Sequence, residues 1–299
     1  MHVVLGASGN TGHVVAQNLL ARQQKVRVVG RNAAHLQAHA AQGAEVFIAD
    51  VTDATALSKA FHNADSAYVM IPPNPASNDP LAYSEGAGDA IAAALKNAGV
   101  KNVVMLSSIG ADKNKGTGPV IGLYKLEQKL NQLGGANVLF LRAGYFMENT
   151  LPQAVAISKM GSAVGPIRPD LKLQMIATRD IGGFASDALL SLSFRGKQTQ
   201  ELLGQRDIAY AEVAAIIGKA IGKPDLQYKQ LPDEQMRPAL VQVGMSEPFA
   251  RLLLEMTGAL NSGYMRALEP RTSQNSTATT YEDFVAEVFV PAYQHQAAA

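Results

Sequence analysis

Cysteine is absent from this 299-residue chain, which excludes disulfides, thiolate nucleophiles and Cys-ligated metal sites together. Charge is scarce as well, at 17% of residues against about 25% in an average globular protein. The 26 basic and 25 acidic side chains leave a formal net charge of +1, so no direct nucleic-acid partner is expected. No apolar run approaches the ~20 residues of a membrane span, so no membrane partner is expected either. Residue 2 already opens an apolar run, His2-Val3-Val4-Leu5, with no basic leader or cleavage signal before it, and the expected location is cytoplasmic. Six histidines show no His-Glu-x-x-His or comparable spacing, so no metal is expected. No Gly-x-Ser-x-Gly elbow marks a serine hydrolase. What remains, with 47% hydrophobic residues, is a chain able to bury a core.

The first half alternates two periods. Apolar, β-branched runs stand at Val3–Leu5, Val26–Val29, Glu45–Ala49, Ala67–Ile71, Val103–Leu106 and Val138–Leu141. Helical spacing fills about Thr11–Arg22, Ala33–Gln42, Ala54–His62, Leu81–Ala98 and Pro119–Leu133. Nearly all-apolar strands separated by helices predict an α/β fold, a doubly wound parallel sheet covered on both faces. After Asn149 the rhythm loosens. A strand at Leu173–Ala177 precedes a helix near Ile181–Leu192, and a strand at Gln200–Leu203 precedes a helix near Tyr210–Ile221 that Gly222-Lys223-Pro224 closes. The remainder reads as mostly helical. The expected division is a dinucleotide-binding domain over residues 1–150 and a smaller lobe over 151–299 that packs on it rather than folding alone. Met236, Met245, Met256 and Met265, at roughly ten-residue spacing, read as helical core.

Gly6-Ala7-Ser8-Gly9-Asn10-Thr11-Gly12 follows the first strand and opens the first helix. Gly6 permits the tight turn, Gly9 lets a pyrophosphate approach the backbone, and Gly12 lets the helix sit close to the strand. The helix N-terminus adds free amides and partial positive charge. Gly6, Ser8, Gly9, Asn10, Thr11 and Gly12 are therefore the expected phosphate loop of a Rossmann-type site. The second strand ends in Gly30-Arg31, where an NAD-specific site carries an acid. Arg31 instead suits a 2′-phosphate, which points to NADP(H). Asp50-Val51 ends the third strand, where Asp50 reads equally as an adenine contact or as a helix N-cap. Pro72 and Pro73 stiffen the end of the fourth strand, as a wall beside the ribose and nicotinamide or as a plain loop brace.

These residues resemble the NmrA-like family of atypical short-chain dehydrogenases/reductases over nearly the whole chain. The marks are the segments at 6–12, 26–32, 141–149 (Leu-Arg-Ala-Gly-Tyr-Phe-Met-Glu-Asn), 177–181 (Ala-Thr-Arg-Asp-Ile) and 201–213. The resemblance implies an NADP(H)-binding domain with a small substrate lobe. It also implies a family divided between reductases of quinones and similar conjugated carbonyls and members that sense NADP(H) without turnover.

Ordinary short-chain dehydrogenases use a Tyr-x-x-x-Lys dyad as their proton relay. Here Tyr124 is followed four residues later by Gln128, and Lys129 lies on another face. The dyad is broken, which disfavours an epimerase or dehydratase. Lys125 resembles the Lys of the family's Lys-x-Glu pattern, with Glu127 matching, and is the candidate for contacting ribose or a substrate oxygen. It reads equally as the polar face of a helix. Tyr145, Phe146 and Asn149 follow the sixth strand and suit a flat apolar substrate, with Tyr145 or Asn149 as polar handle and Tyr145 joining Lys125 as a catalytic candidate. The expected function is an NADPH-dependent reductase of a small quinone-like or conjugated carbonyl substrate. The alternative is a non-catalytic NADP(H) sensor acting through a regulatory protein partner.

Overall fold

The computed structural model describes residues 1–298. Its first half runs β1 (His2–Leu5), α1 (Asn10–Ala21), β2 (Val26–Gly30), α2 (Gln37–Ala41), β3 (Glu45–Ile48), α3 (Ala54–Ala60), β4 (Ser66–Val69), α4 (Pro80–Ala98), β5 (Asn102–Ser108), α5 (Val120–Asn131) and β6 (Asn137–Ala143). Its second half adds β7 (Tyr145–Phe146), α6 (Gln153–Met160), β8 (Ala163–Gly165), β9 (Lys172–Ile176), α7 (Thr178–Ser191) and β10 (Lys197–Leu202). There follow β11 (Asp207–Ala209), α8 (Tyr210–Ala220), β12 (Tyr228–Gln230), α9 (Asp233–Gln242), α10 (Glu247–Asn261), α11 (Tyr281–Phe284) and α12 (Val290–Ala298).

Seven strands form one parallel sheet in the order β10-β6-β5-β4-β1-β2-β3, the doubly wound α/β arrangement expected from the sequence. Alternation along each strand serves two cores. Val3, Leu5, Val69 and Met105 meet Leu57, Ile91, Leu95 and Leu126 from α3, α4 and α5. On the other face Val4, Val28, Tyr68 and Val104 meet Val15, Leu19, Ile181 and Leu189 from α1 and α7. The edges differ as edges should: Ile48 of β3 is half exposed, and β10 begins Lys-Gln-Thr-Gln, a polar rim that discourages pairing with another chain. Among the described residues no helix is long and apolar enough to cross a membrane.

Residue 150 is not a border between layers. Beyond it α7 packs along α1, and β10 extends the main sheet by pairing with β6, Gln200 opposite Leu141. Gly182 permits the helix contact, since a Cβ there would lie 2.6 Å from Val14 Cβ. The rest of the second half is the smaller lobe, with a β11-β9-β7 sheet, a β12-β8 pair and packed helices. Its core gathers Met147, Leu173, Met175, Val213, Ile217, Phe284 and Phe289.

Three connections tie the lobe to the main layer. Glu148 caps α7 from outside, accepting from the Thr178 amide and from its hydroxyl at 2.6 Å. Asp180 of α7 accepts from the Thr279 hydroxyl at 2.6 Å. Glu201, at the end of β10 and 2% exposed, accepts from the amides of Leu268 and Glu269 at 3.0 Å. Within the main layer Glu127 is also buried. It accepts two bonds from Arg142, at 3.0 and 2.6 Å, and one from Ser107 at 2.6 Å.

Removing one partner of such a pair leaves an uncompensated buried charge. Arg142→Met is therefore expected to lower stability by about 3–5 kcal/mol, with Arg142→Met/Glu127→Leu recovering part of the loss; urea denaturation of both variants checks this. A second expectation concerns pH. His2 and His39 are 9% and 1% exposed, and burial lowers both from the usual value of 6.5. The folded state then binds their protons less readily than the unfolded chain, so their neutral forms support the fold above pH 6.5 and that support is lost as pH falls below it. Thermal melting between pH 7.5 and 5.5 should show stability falling with pH, with a shallower slope in His39→Gln.

Candidate functional site

Strand order reverses between β1 and β4, and the crevice above their carboxyl ends is where open α/β sheets bind ligands. The loop after β1 is built for close approach. Gly6 has φ +65°, and the Gly9 amide donates to the Gly6 carbonyl at 2.8 Å. A Cβ on Gly12 would stand 2.3 Å from that same carbonyl, so only glycine lets α1 start so near the strand. No side chain caps α1, and its first backbone bond runs from His13 to Gly9. The amides of Asn10, Thr11 and Gly12 thus have no helical acceptor, which is the donor set an anion requires.

A cavity of about 470 Å³ lies over this loop. Gly6, Ser8, Gly9, Asn10, Thr11, Arg31, Val51, Pro72 and Pro73 all line it, with Phe146 and Asn149 at one end. Gly12 sits beneath the loop as a packing residue. Thr11 lends its hydroxyl to the interior, accepting from Tyr68 of β4 at 2.8 Å. Burial pushes the Tyr68 phenol pKa above its usual 10, so it stays a neutral donor.

Asp50 stands outside the cavity lining. Its carboxylate accepts from the Thr52 amide and hydroxyl at 2.9 and 2.6 Å. These bonds, and more weakly Arg31, lower its pKa. The α3 cap is Asp53, which accepts from Ala56 at 2.9 Å, so the N-cap read for Asp50 belongs to its neighbour three residues on.

A second cavity of about 380 Å³ adjoins the first. Both share Met70, Pro72, Pro73, Leu106, Phe146 and Asn149. Its other walls are largely apolar: Leu123 and Val120 from α5, then Phe249, Met256 and Leu260 from α10, and Met265 beyond it. Met256 and Met265 therefore do more than fill a core. Met70 was also missed in the sequence, although its sulfur would lie 2.8 Å from a Cβ on Gly6. Polar groups join them from Ser107 and Ser108 at the end of β5 and from Lys172, Gln174 and Arg266; no motif announces the last three.

Lys125 engages a neighbouring helix. Its ammonium donates to Glu85 of α4 at 2.6 Å, and it lines neither cavity. Gly122 and Leu123 of α5 face the cavity, and the helical rotation of the next two residues turns Lys125 toward α4. Tyr124 likewise lines neither cavity. Tyr145 does line the second cavity, but its ring stands edge-on to Tyr210 at 6.3 Å and packs with the lobe core. Burial, then the neighbouring Tyr210, raises its pKa well above 10. Such a phenol keeps its proton near neutrality. Asn149 is exposed at the junction, with no side-chain hydrogen bond within the described residues.

Gly12→Ala is expected to force α1 off the strand, costing about 1–3 kcal/mol and abolishing dinucleotide binding. Denaturation and calorimetry with NADPH measure the two effects separately.

Comparison with known proteins agrees with this geometry. The chain is 30% identical over 267 residues to the NAD(P)H azoreductase of Xenophilus azovorans, covering 89% of each protein. It is 28% identical over 268 residues to quinone oxidoreductase 2 of Escherichia coli strain K12, covering 88% of this chain and 89% of that one. A crystal structure of an NADPH-dependent quinone oxidoreductase from Escherichia coli complexed with NADPH matches with a TM-score of 0.81 and 26% identity. That match covers 97% of this chain and 100% of the other. The model of the NmrA-like family matches residues 2–285, and the chain belongs to that family.

Proposed function

We propose that the protein is an NADPH-dependent reductase of small, flat, conjugated acceptors, quinones foremost. The observation that carries this reading is the junction of the two cavities, where the loop-floored trough runs directly into an apolar chamber past Phe146 and Asn149. The relatives named above, reductases acting with NAD(P)H, support it. Bound in the trough, NADPH supplies a hydride from its nicotinamide ring.

The chain's own residues supply binding and orientation. Amides of Asn10 and Thr11 and the Gly6–Gly9 turn face the pyrophosphate, while Arg31 meets the 2′-phosphate by charge-assisted bonds. Pro72 and Pro73 offer no amide hydrogens and, with Met70 and Leu106, keep the shared wall apolar and dry. Asn149 holds a free amide at the junction and donates to the acceptor's carbonyl oxygen. No side chain at the junction is tuned to deliver a proton, which suits an acceptor that takes its proton from water and disfavours simple ketones.

Calorimetry with NADPH, followed by absorbance at 340 nm with a panel of quinones, tests the reading. Binding with turnover is expected. Tight binding without turnover on any acceptor would overturn the reductase and leave the sensor alternative. Arg31→Glu should weaken NADPH binding by about 10–100-fold and shift preference toward NADH, and unchanged NADPH affinity would refute the 2′-phosphate assignment.

A further inference from the structure

Of the twelve arginines in the chain, nine form ion pairs with carboxylates among the described residues. The three exceptions are Arg31, Arg195 and Arg266. Arg195 spends its guanidinium on the backbone carbonyls of Leu192 and Phe194. The other two line one cavity each, Arg31 the trough and Arg266 the second chamber. Arg266 makes one weak contact, to the Gly263 carbonyl at 3.3 Å. Lys172 lines the same chamber, and its ammonium has no hydrogen-bond or ion-pair partner among the described residues. No carboxylate lines this chamber. Two cations with unspent donors thus border an otherwise mainly apolar space.

Both side chains are exposed, on backbone that is held in place. Lys172 opens β9, and Lys172 and Gln174 share a strand face opposite that of Leu173 and Met175, which enter the lobe core. Arg266 follows Met265, which is 5% exposed and packs so tightly on Gly110 that a Cβ there would lie 2.7 Å from its terminal methyl. Two residues further on, the Leu268 amide is fixed by buried Glu201. The backbone carrying Arg266 is therefore pinned on both sides before any ligand arrives, which reduces the ordering cost of binding.

We propose that Lys172 and Arg266 form a recognition site for an anionic substituent, a carboxylate, sulfonate or phosphate, carried by an otherwise apolar substrate of the chamber. The apolar body occupies the space between Leu123, Phe249 and Met256, while the anion stays with the two cations and is spared the cost of unpaired burial. The assignment of the ligand as a substrate rests on the reductase reading; the anion site itself does not.

The probe pair is 1-anilinonaphthalene-8-sulfonate and its uncharged parent N-phenyl-1-naphthylamine, titrated by fluorescence. The quantity read is the ratio of their affinities. Lys172→Gln and Arg266→Gln are each expected to lower that ratio by about 5–10-fold and the double variant by more, with the wild-type ratio falling as salt is raised. Lys101→Gln, remote from both cavities, should leave the ratio unchanged. A ratio that moves only in Arg31→Gln, or in none of the variants, overturns the proposal. NADPH oxidation with 1,4-naphthoquinone and its 2-sulfonate is assayed separately. Absent turnover with an intact dye ratio would fail the reductase reading alone, whereas turnover with an unmoved dye ratio would fail the anion site alone.

Discussion

The buried hydrogen bond from Tyr68 to Thr11 joins β4 to α1 at the point where the strand order reverses. A buried phenol needs a partner, and the partner supplied is the first turn of α1. β4 is thereby locked to the helix that carries the phosphate loop, while Gly12 brings that helix close to β1. The loop and the proline segment after β4 face one another because their parent strands are neighbours. Both cavities open from that arrangement.

Much of this was legible in the sequence. All-apolar runs such as Val3–Leu5 and Val103–Leu106 can be buried on both faces only in a covered parallel sheet, and the glycine spacing at 6–12 has few other uses directly after a strand. The strand at 200–203 was also legible, but its place in the main sheet was not, because Lys-Gln-Thr-Gln reads as a surface segment and edge strands are meant to be polar. Of the lobe strands only β9 was legible, at 173–177; the others are two or three residues long, too short for a period to emerge. The pairing of Lys125 with Glu85 was not legible, because a motif position fixes residue identity and not helical phase relative to two neighbours. The wall from Phe249 to Arg266 carries no motif, as its members share only proximity to a cavity.

The segments that most resemble the family serve architecture more than chemistry. Glu148 caps α7, Asp180 fastens Thr279, and Arg142 neutralises Glu127. The first two hold the lobe against the sheet and the third braces the main layer, and between Glu148 and Thr150 one residue is exposed, Asn149, at the meeting of the two cavities. A structural cap and the amide proposed to meet the substrate are thus chain neighbours, and the rigidity of the first sets the position of the second.

Conjugated carbonyls are also alkylating agents, and their usual target in proteins is a thiolate. The second cavity is walled in part by thioethers, from Met70, Met256 and Met265, and the chain holds no thiol anywhere. The softness and adaptability that sulfur brings to an irregular apolar wall are kept, while the nucleophile that an electrophilic guest would covalently trap is missing. A protein composed in this way can hold a Michael acceptor for many encounters without its cavity being arylated through sulfur.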